Sequence, residues 1–188
     1  MEKTALIPIA DGSEEIEAVT IIDVLRRAGT QVTVASVNDL QITASRGVRI
    51  TADCLIDNCA DRSYDLIALP GGMPGAQHLH DSAVLKALLI QHDARNRLFA
   101  AICAAPAVVL QPYGLLSDRP ATCHPSFSDR LVNQSAIAKR VVVDGKLVTS
   151  QGPGTALAFS LTLVELLYDK DKRRSVSDPM IAACNGQS

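Results

Sequence analysis

No Cys-x-x-Cys pair, no long Lys/Arg cluster and no unbroken apolar run of the roughly 18 residues needed to span a membrane occurs in this 188-residue chain. The first absence, together with an odd count of cysteines (54, 59, 103, 123 and 184), fits reduced thiols in a reducing compartment better than a disulfide framework. The second removes the electrostatic footprint of sequence-specific nucleic-acid binding, since 18 basic residues face 20 acidic ones for a net charge of -2. The third argues against a membrane partner. Met1-Glu2-Lys3-Thr4 leads straight into a short apolar segment stopped by Asp11 and Gly12, without a signal-peptide core or cleavage site, so a cytoplasmic location is expected. Repeats, linkers and low-complexity tracts are also missing, and one domain over residues 1–188 is expected. With 47% hydrophobic and 20% charged residues, the chain reads as globular rather than disordered, coiled-coil or fibrous.

What is present alternates strand with helix. Residues 4–10 read as a buried strand, and Asp11-Gly12-Ser13-Glu14 offers a capping box for a helix running to about Ala28, with Ile16, Val19, Ile22 and Leu25 inward and Gly29 as its stop. Residues 31–37 form the next strand of a right-handed βαβ unit. Residues 41–57 suggest short strands or an excursion. A second buried strand at 65–69 ends in Pro70-Gly71-Gly72-Met73-Pro74-Gly75, and a helix over about 82–95 follows, with Val84, Leu85, Leu88 and Leu89 on its apolar side. A third buried strand, 98–102, passes into Cys103-Ala104-Ala105-Pro106 and a short helix. Residues 141–149 carry a hairpin signal at Asp144-Gly145, 155–168 form a nearly all-apolar helix covered by the sheet or a partner subunit, and 169–174 read as a solvated helix end. The pattern predicts an α/β fold with a doubly wound, mostly parallel sheet.

In such a sheet the crevice opens beyond the carboxyl ends of the strands, where three loops would meet: the start of the first helix, the glycine-rich loop and Cys103. Small neighbours allow Cys103 the tight strand-to-helix turn that exposes a nucleophile, and helix amides from Ala104 onward would favour its thiolate; a buried structural thiol is the alternative. Gly71 and Gly72 could turn amides inward and form an oxyanion hole with Ala104, or could simply make a tight turn. No Gly-Lys-Ser/Thr follows them, which argues against a phosphate loop. Glu17 can act as general acid or base if burial keeps it protonated, or can merely answer the helix dipole. His124, beside Cys123 at an expected strand end, can orient a substrate or help move a proton, the alternative being an ordinary surface or core histidine. His78 and His80 lack a third ligand nearby, so no metal is expected, and no His-Asp pair stands in register with Cys103 as a peptidase would need.

Four ordered motifs, Gly12-Ser13-Glu14-Glu15-Ile16-Glu17, Leu69-Pro70-Gly71-Gly72, Ala101-Ile102-Cys103-Ala104-Ala105-Pro106 and Ser150-Gln151-Gly152-Pro153-Gly154-Thr155, resemble those of the ThiJ/PfpI superfamily, in the branch of the Parkinson-associated deglycase and YajL. Arg26-Arg27-Ala28-Gly29, Ala44-Ser45-Arg46 and His124-Pro125 extend the match over nearly the whole chain. The resemblance implies a flavodoxin-like, class I glutamine amidotransferase-like fold and a homodimer. It implies Cys103 as reactive thiolate, Glu17 as its protonated partner, Gly72 and Ala104 as oxyanion donors and His124 in the pocket, with the Gly152-Pro153 loop reaching the neighbouring subunit's site. It also implies a glutathione-independent glyoxalase and deglycase, without cofactor, acting on methylglyoxal or glyoxal and on proteins or nucleotides that they have glycated. Redox sensing or chaperoning through an oxidisable Cys103 is the alternative. The chain departs from the pattern at Ala44, where a human member of the superfamily has a cysteine, and over residues 177–188, which match no known pattern.

Overall fold

The computed structural model describes residues 2–182. Strands β1 (Thr4–Ile9), β6 (Leu66–Leu69) and β7 (Leu98–Ile102) are almost wholly buried along their length. That is the signature of parallel strands covered on both faces, which need apolar side chains in both directions. They occupy the middle of a seven-stranded sheet of order β5-β2-β1-β6-β7-β9-β8, completed by β2 (Gln31–Ser36), β5 (Cys54–Leu55), β8 (Val141–Asp144) and β9 (Leu147–Ser150). Every neighbouring pair is parallel except β8 with β9. A separate antiparallel hairpin joins β3 (Gln41–Thr43) to β4 (Arg49–Thr51). This is the expected flavodoxin-like, doubly wound α/β arrangement.

Helix α1 (Glu15–Arg27) connects β1 to β2, while α3 (Ala83–Ala94) connects β6 to β7 in the opposite direction across the sheet. Right-handed crossovers therefore put them on opposite faces. Helix α4 (Ala156–Leu167) packs against α1, β7 and β9, and α5 (Lys170–Ser177) covers α4. The core between the layers holds Phe99, Phe159, Leu6, Ile7, Ile21 and Leu25, all fully buried, each worth about 1.5–3 kcal/mol in transfer from water. Pairing of β1 with β6 stops at Leu6–Ile67, before Pro8, which has no N–H to give. The gap beyond, on either side of which successive strands are added in opposite directions across the sheet, is the crevice.

Several local expectations change. Asp11 does not cap α1: its carboxylate takes the Thr43 amide at 2.7 Å, and Glu14 is the cap, its side chain accepting from Ile16 N–H at 3.4 Å. The inward face of α1 is Glu15, Glu17, Ala18, Ile21, Val24 and Leu25, while Ile16 and Val19 are 55% and 50% exposed. The helix is rotated from the apolar reading because its first turn must deliver carboxylates to the crevice. A further helix, α2 (Gly75–Asp81), precedes α3, with Ser82 between them capping α3 at Leu85 N–H. The hairpin turn is Gly145-Lys146, one residue later than expected. Asp169 starts α5 rather than ending a helix, its carboxylate accepting from Lys172 N–H at 2.8 Å. His124 follows an extended segment outside the sheet rather than a strand end.

The glycine-rich loop lies so close to the β1–α1 loop that a Cβ at Gly75 would fall 2.3 Å from Ser13 N. Gly75→Ala is expected to cost about 1–3 kcal/mol in urea unfolding, whereas Gly154→Ala, which meets nothing within 4 Å, should change stability by less than about 0.5 kcal/mol. Equal stability of the two variants would contradict this packing.

Candidate active site around Cys103

Three loops converge at the carboxyl ends of β1, β6 and β7. After β7 the backbone turns at Cys103 with φ +63°, a left-handed conformation that side chains other than glycine, Asn and Asp rarely adopt. Two backbone bonds hold the turn: Cys103 N–H donates to Ser150 O at 3.0 Å, and His124 N–H donates to Cys103 O at 2.8 Å. A short turn of π-helix, Pro106–Leu110, follows.

Glu17 reaches the crevice from the first turns of α1 and is completely buried. Its Oε2 accepts the Gly71 amide at 2.7 Å. Its Oε1 meets no nitrogen or oxygen donor, and the side chain that its carboxyl hydrogen-bonds is the Cys103 thiol. Burial pushes Glu17 up to about 7, against the pull of the Gly71 amide and the thiol. The carboxyl therefore keeps its proton to a far higher pH than an exposed glutamate.

Burial likewise pushes the Cys103 thiol up, to about 12, and the negative charge of ionised Glu17 pushes in the same direction, while the amides of Gly72 and Ala104 hydrogen-bond the sulfur and pull it down. The expected pull of the Ala104 amide on the sulfur is present and the Gly72 amide joins it, but burial and the charge of ionised Glu17 outweigh the two. The helical turn is short, and only the two loop amides reach the sulfur. What decides is the proton on Glu17. When it is in place the repelling charge is gone, and the carboxyl O–H becomes a donor to sulfur, so the anion has three donors.

Cys103 is 9% exposed, at the base of a cleft of about 310 Å³ lined also by Glu14, Ser45, Arg46, Met73, Phe127 and by the expected Gly72, Ala104, His124 and Pro153. Gly71 belongs behind the thiol rather than in the cleft: a Cβ there would lie 2.6 Å from Cys103 Cβ, and its amide is spent on Glu17. It positions the acid and donates nothing to a ligand. Gly152 is not among the residues lining the cleft, and a Cβ added to it would lie 3.5 Å from the His124 ring. Pro153 lines this chain's own cleft, not only a neighbour's as the resemblance implied. His124 accepts Ser126 N–H through Nδ1 at 3.2 Å, which leaves its proton on Nε2. It meets Cys103 through backbone alone, so it can donate to a bound oxygen but does not serve as the base for the thiol.

Sequence reasoning missed Glu14 and the β3–β4 hairpin as parts of the cleft. Ser45 hydroxyl lies 2.7 Å from a Glu14 oxygen and 2.8 Å from a Glu15 oxygen, shared between the two as donor, and Arg46 N–H donates to Glu15 at 2.8 Å, so the cap and first residue of α1 hold the hairpin tip over the site. The double glutamate before Glu17 was the available signal. Elsewhere, His78 Nδ1 bonds Asp11 O at 2.9 Å and His80 Nδ1 meets Asp81 at 3.1 Å, so the two do not converge. No group of three or more side chains able to hold a metal ion occurs among the described residues, and no helix there is long and apolar enough to cross a membrane. Cys184 lies outside the described residues, as do 183–188 of the unmatched terminus.

Comparison with known proteins gives the family and the fold. Protein DJ-1 homolog B of Arabidopsis thaliana is 49% identical over 92% of the chain, which spans only 40% of that relative's length. The glutathione-independent glyoxalase DJR-1.2 of Caenorhabditis elegans is 34% identical over 97% of the chain and 98% of its own length. Among solved structures, oxidized DJ-1 of Toxoplasma gondii superposes with a TM-score of 0.94 at 48% identity, covering 96% of this chain and 99% of that one. The model of the DJ-1/PfpI family matches residues 3–166, and the chain belongs to that family.

Proposed function

We propose that the chain is a glutathione-independent glyoxalase and deglycase, with Cys103 as nucleophile, acting on methylglyoxal or glyoxal and on amino groups they have modified. The observation that carries this reading is a thiol at the base of a small cleft, faced by the Gly72 and Ala104 amides, beside a buried carboxyl that holds a proton near neutral pH. A small, doubly oxidised carbon compound fits that space. The name of the nematode relative supports the same chemistry.

The thiolate adds to the aldehyde carbon, and its electron pair forms the C–S bond while the C=O pair moves to oxygen. Glu17 gives its proton to that oxygen, yielding a hemithioacetal. As sulfur loses its charge, the Gly72 and Ala104 amides are released to the new oxygen, two bonds from the sulfur. The Glu17 carboxylate then takes the proton from the former aldehyde carbon and returns it to the adjacent carbon, while the hydroxyl proton passes to the oxygen of that adjacent carbon, giving a thioester of a 2-hydroxy acid. Water hydrolyses the thioester and restores the thiol. The sum is dicarbonyl plus water to hydroxy acid, an internal redox change that requires no cofactor. For a glycated amine, the thiolate displaces nitrogen from the hemiaminal carbon and Glu17 protonates the departing amine. Arg46 and His124 Nε2 can hold the second oxygen of the substrate.

A second reading, a redox sensor, has the oxidized state of the Toxoplasma relative in its favour. There Cys103 would climb to a sulfinic acid held by Glu17. Cys103→Ser is expected to lower methylglyoxal consumption by about 10³-fold or more with the circular dichroism spectrum unchanged. Retained turnover refutes the glyoxalase assignment. Selective oxidation of Cys103 at low peroxide in a chain that turns over no dicarbonyl selects the sensor.

Self-association has support in the exposed apolar face of α1, where Ile16 and Val19 stand 55% and 50% open one turn apart. Two copies joined through this face form the proposed homodimer. Sedimentation velocity should give a dimer for the parent chain and a monomer for the Ile16→Asp, Val19→Asp double variant; a monomeric parent chain would contradict it.

A further inference from the structure

Far from the cleft, a second pair of sulfur atoms is in contact. Cys54 Sγ and Cys59 Sγ lie 3.7 Å apart, and both residues are free thiols. Cys54 sits on β5, the outermost strand at one side of the sheet, held by only two register pairs to β2. Cys59 ends the 3-10 turn Ile56–Cys59 that follows directly and is completely buried, whereas Cys54 is half-buried. β5 stands four strand spacings from β7, roughly 19 Å, so neither sulfur can meet Cys103. Cys123 is also occupied, its thiol directed to the His124 carbonyl at 3.4 Å.

We propose that Cys54 and Cys59 are a second redox site of this chain, which closes reversibly to an intrachain disulfide on reaction with an organic hydroperoxide. The two exposures assign the order of events. Half-buried Cys54 meets the oxidant first: its thiolate attacks the peroxide, the O–O bond breaks, and Cys54 sulfenic acid and an alkoxide result. The alkoxide takes a proton to become the alcohol. Cys59 sulfur then attacks the Cys54 sulfur, the S–O bond breaks, and the hydroxyl leaves as water with the Cys59 proton. Two thiols lose two electrons in all, and the hydroperoxide gains them.

The motion required is small. The sulfurs close from 3.7 Å to the roughly 2.05 Å of a disulfide, at a sheet edge where one short strand with no neighbour on its outer side can shift. Burial, and then the hydrogen bond with Cys59, push the Cys54 thiol up to about 11. At neutral pH the Cys54 thiol therefore keeps its proton in the resting chain, and the first attack is slow. The site answers sustained rather than brief exposure, and it acts independently of the chemistry proposed at Cys103.

The test uses the full chain, with and without Cys103→Ser, held for hours with tert-butyl hydroperoxide, then alkylated and digested with trypsin. Cleavage after Arg49 and Arg62 puts both thiols on one peptide. The expected result is a peptide 50–62 that has lost two hydrogens and resists alkylation at both cysteines, with dithiothreitol restoring both. In the Cys59→Ser variant Cys54 should instead stop at sulfenic acid, trapped by dimedone; if that variant fails to fold, Cys54→Ala should leave Cys59 open to neither oxidation nor disulfide formation. A peptide in which both cysteines remain fully alkylated, or in which Cys54 becomes sulfinic acid beside an intact Cys59 thiol, overturns the proposal. Loss of dicarbonyl turnover in the Cys103→Ser chain has no bearing on either outcome.

Discussion

The hydrogen bond from the Gly71 amide to Glu17 Oε2, 2.7 Å long and wholly buried, is the contact on which the site depends. It fixes one oxygen of a carboxyl that is wholly buried and whose side-chain hydrogen-bond partner is the Cys103 thiol. Leaving a full negative charge there would cost several kcal/mol of lost hydration, more than one amide returns, so the group holds its proton into the neutral range. An acid buried at that depth beside a thiol can both donate to an anionic sulfur and later receive a proton from a carbon atom bound to it.

The fold supplies that contact at the point where the order of its parallel strands reverses, between β1 and β6. β1 and β6 part after Leu6 and Ile67, and the parted ends admit the first turns of α1 from one side and the glycine-rich loop from the other. The approach is close enough that no Cβ could stand at Gly71, where Cys103 Cβ is 2.6 Å away, or at Gly72, where Glu14 N is 2.5 Å away. Cys103 itself is held in a left-handed backbone conformation by bonds to β9 and to the His124 segment. Strain of this kind, of order 1–3 kcal/mol, persists only where neighbours on several sides enforce it. Here they are strand β9 on one side and the His124 segment on the other, so the geometry of the thiol depends on chain well beyond its own loop.

Much of this was legible in the residues. Near-continuous apolar runs at β1, β6 and β7 mark central parallel strands, and the small residues after Ile102 mark the sharp turn. Cys103, Glu17, Gly72 and Ala104 come together as expected. Periodicity failed at α1, because a helix whose first turn serves a buried site carries inward carboxylates at Glu15 and Glu17 and shows Ile16 and Val19 outward. Gly71 and Gly72 look alike in sequence, yet one amide serves Glu17 and the other the sulfur, a division set by backbone direction. The hairpin tip at Ser45-Arg46 was invisible as part of the cleft, since contacts with Glu14 and Glu15 across about 30 positions carry no local signal. Nor could the spacing of Cys54 and Cys59 reveal that a strand and a turn would bring their sulfurs together.

The central claim is that protonated Glu17 favours the anion of Cys103, and its sign can be read from one measurement: the rate of Cys103 alkylation by iodoacetamide across pH, in the parent chain and in Glu17→Gln. If the acid O–H is a donor to sulfur, replacing it with the weaker amide donor raises the apparent pKa of the thiol and slows alkylation at pH 7. If Glu17 instead holds the negative charge and suppresses the thiolate, removing that charge lowers the apparent pKa and speeds alkylation, and that result would contradict the account.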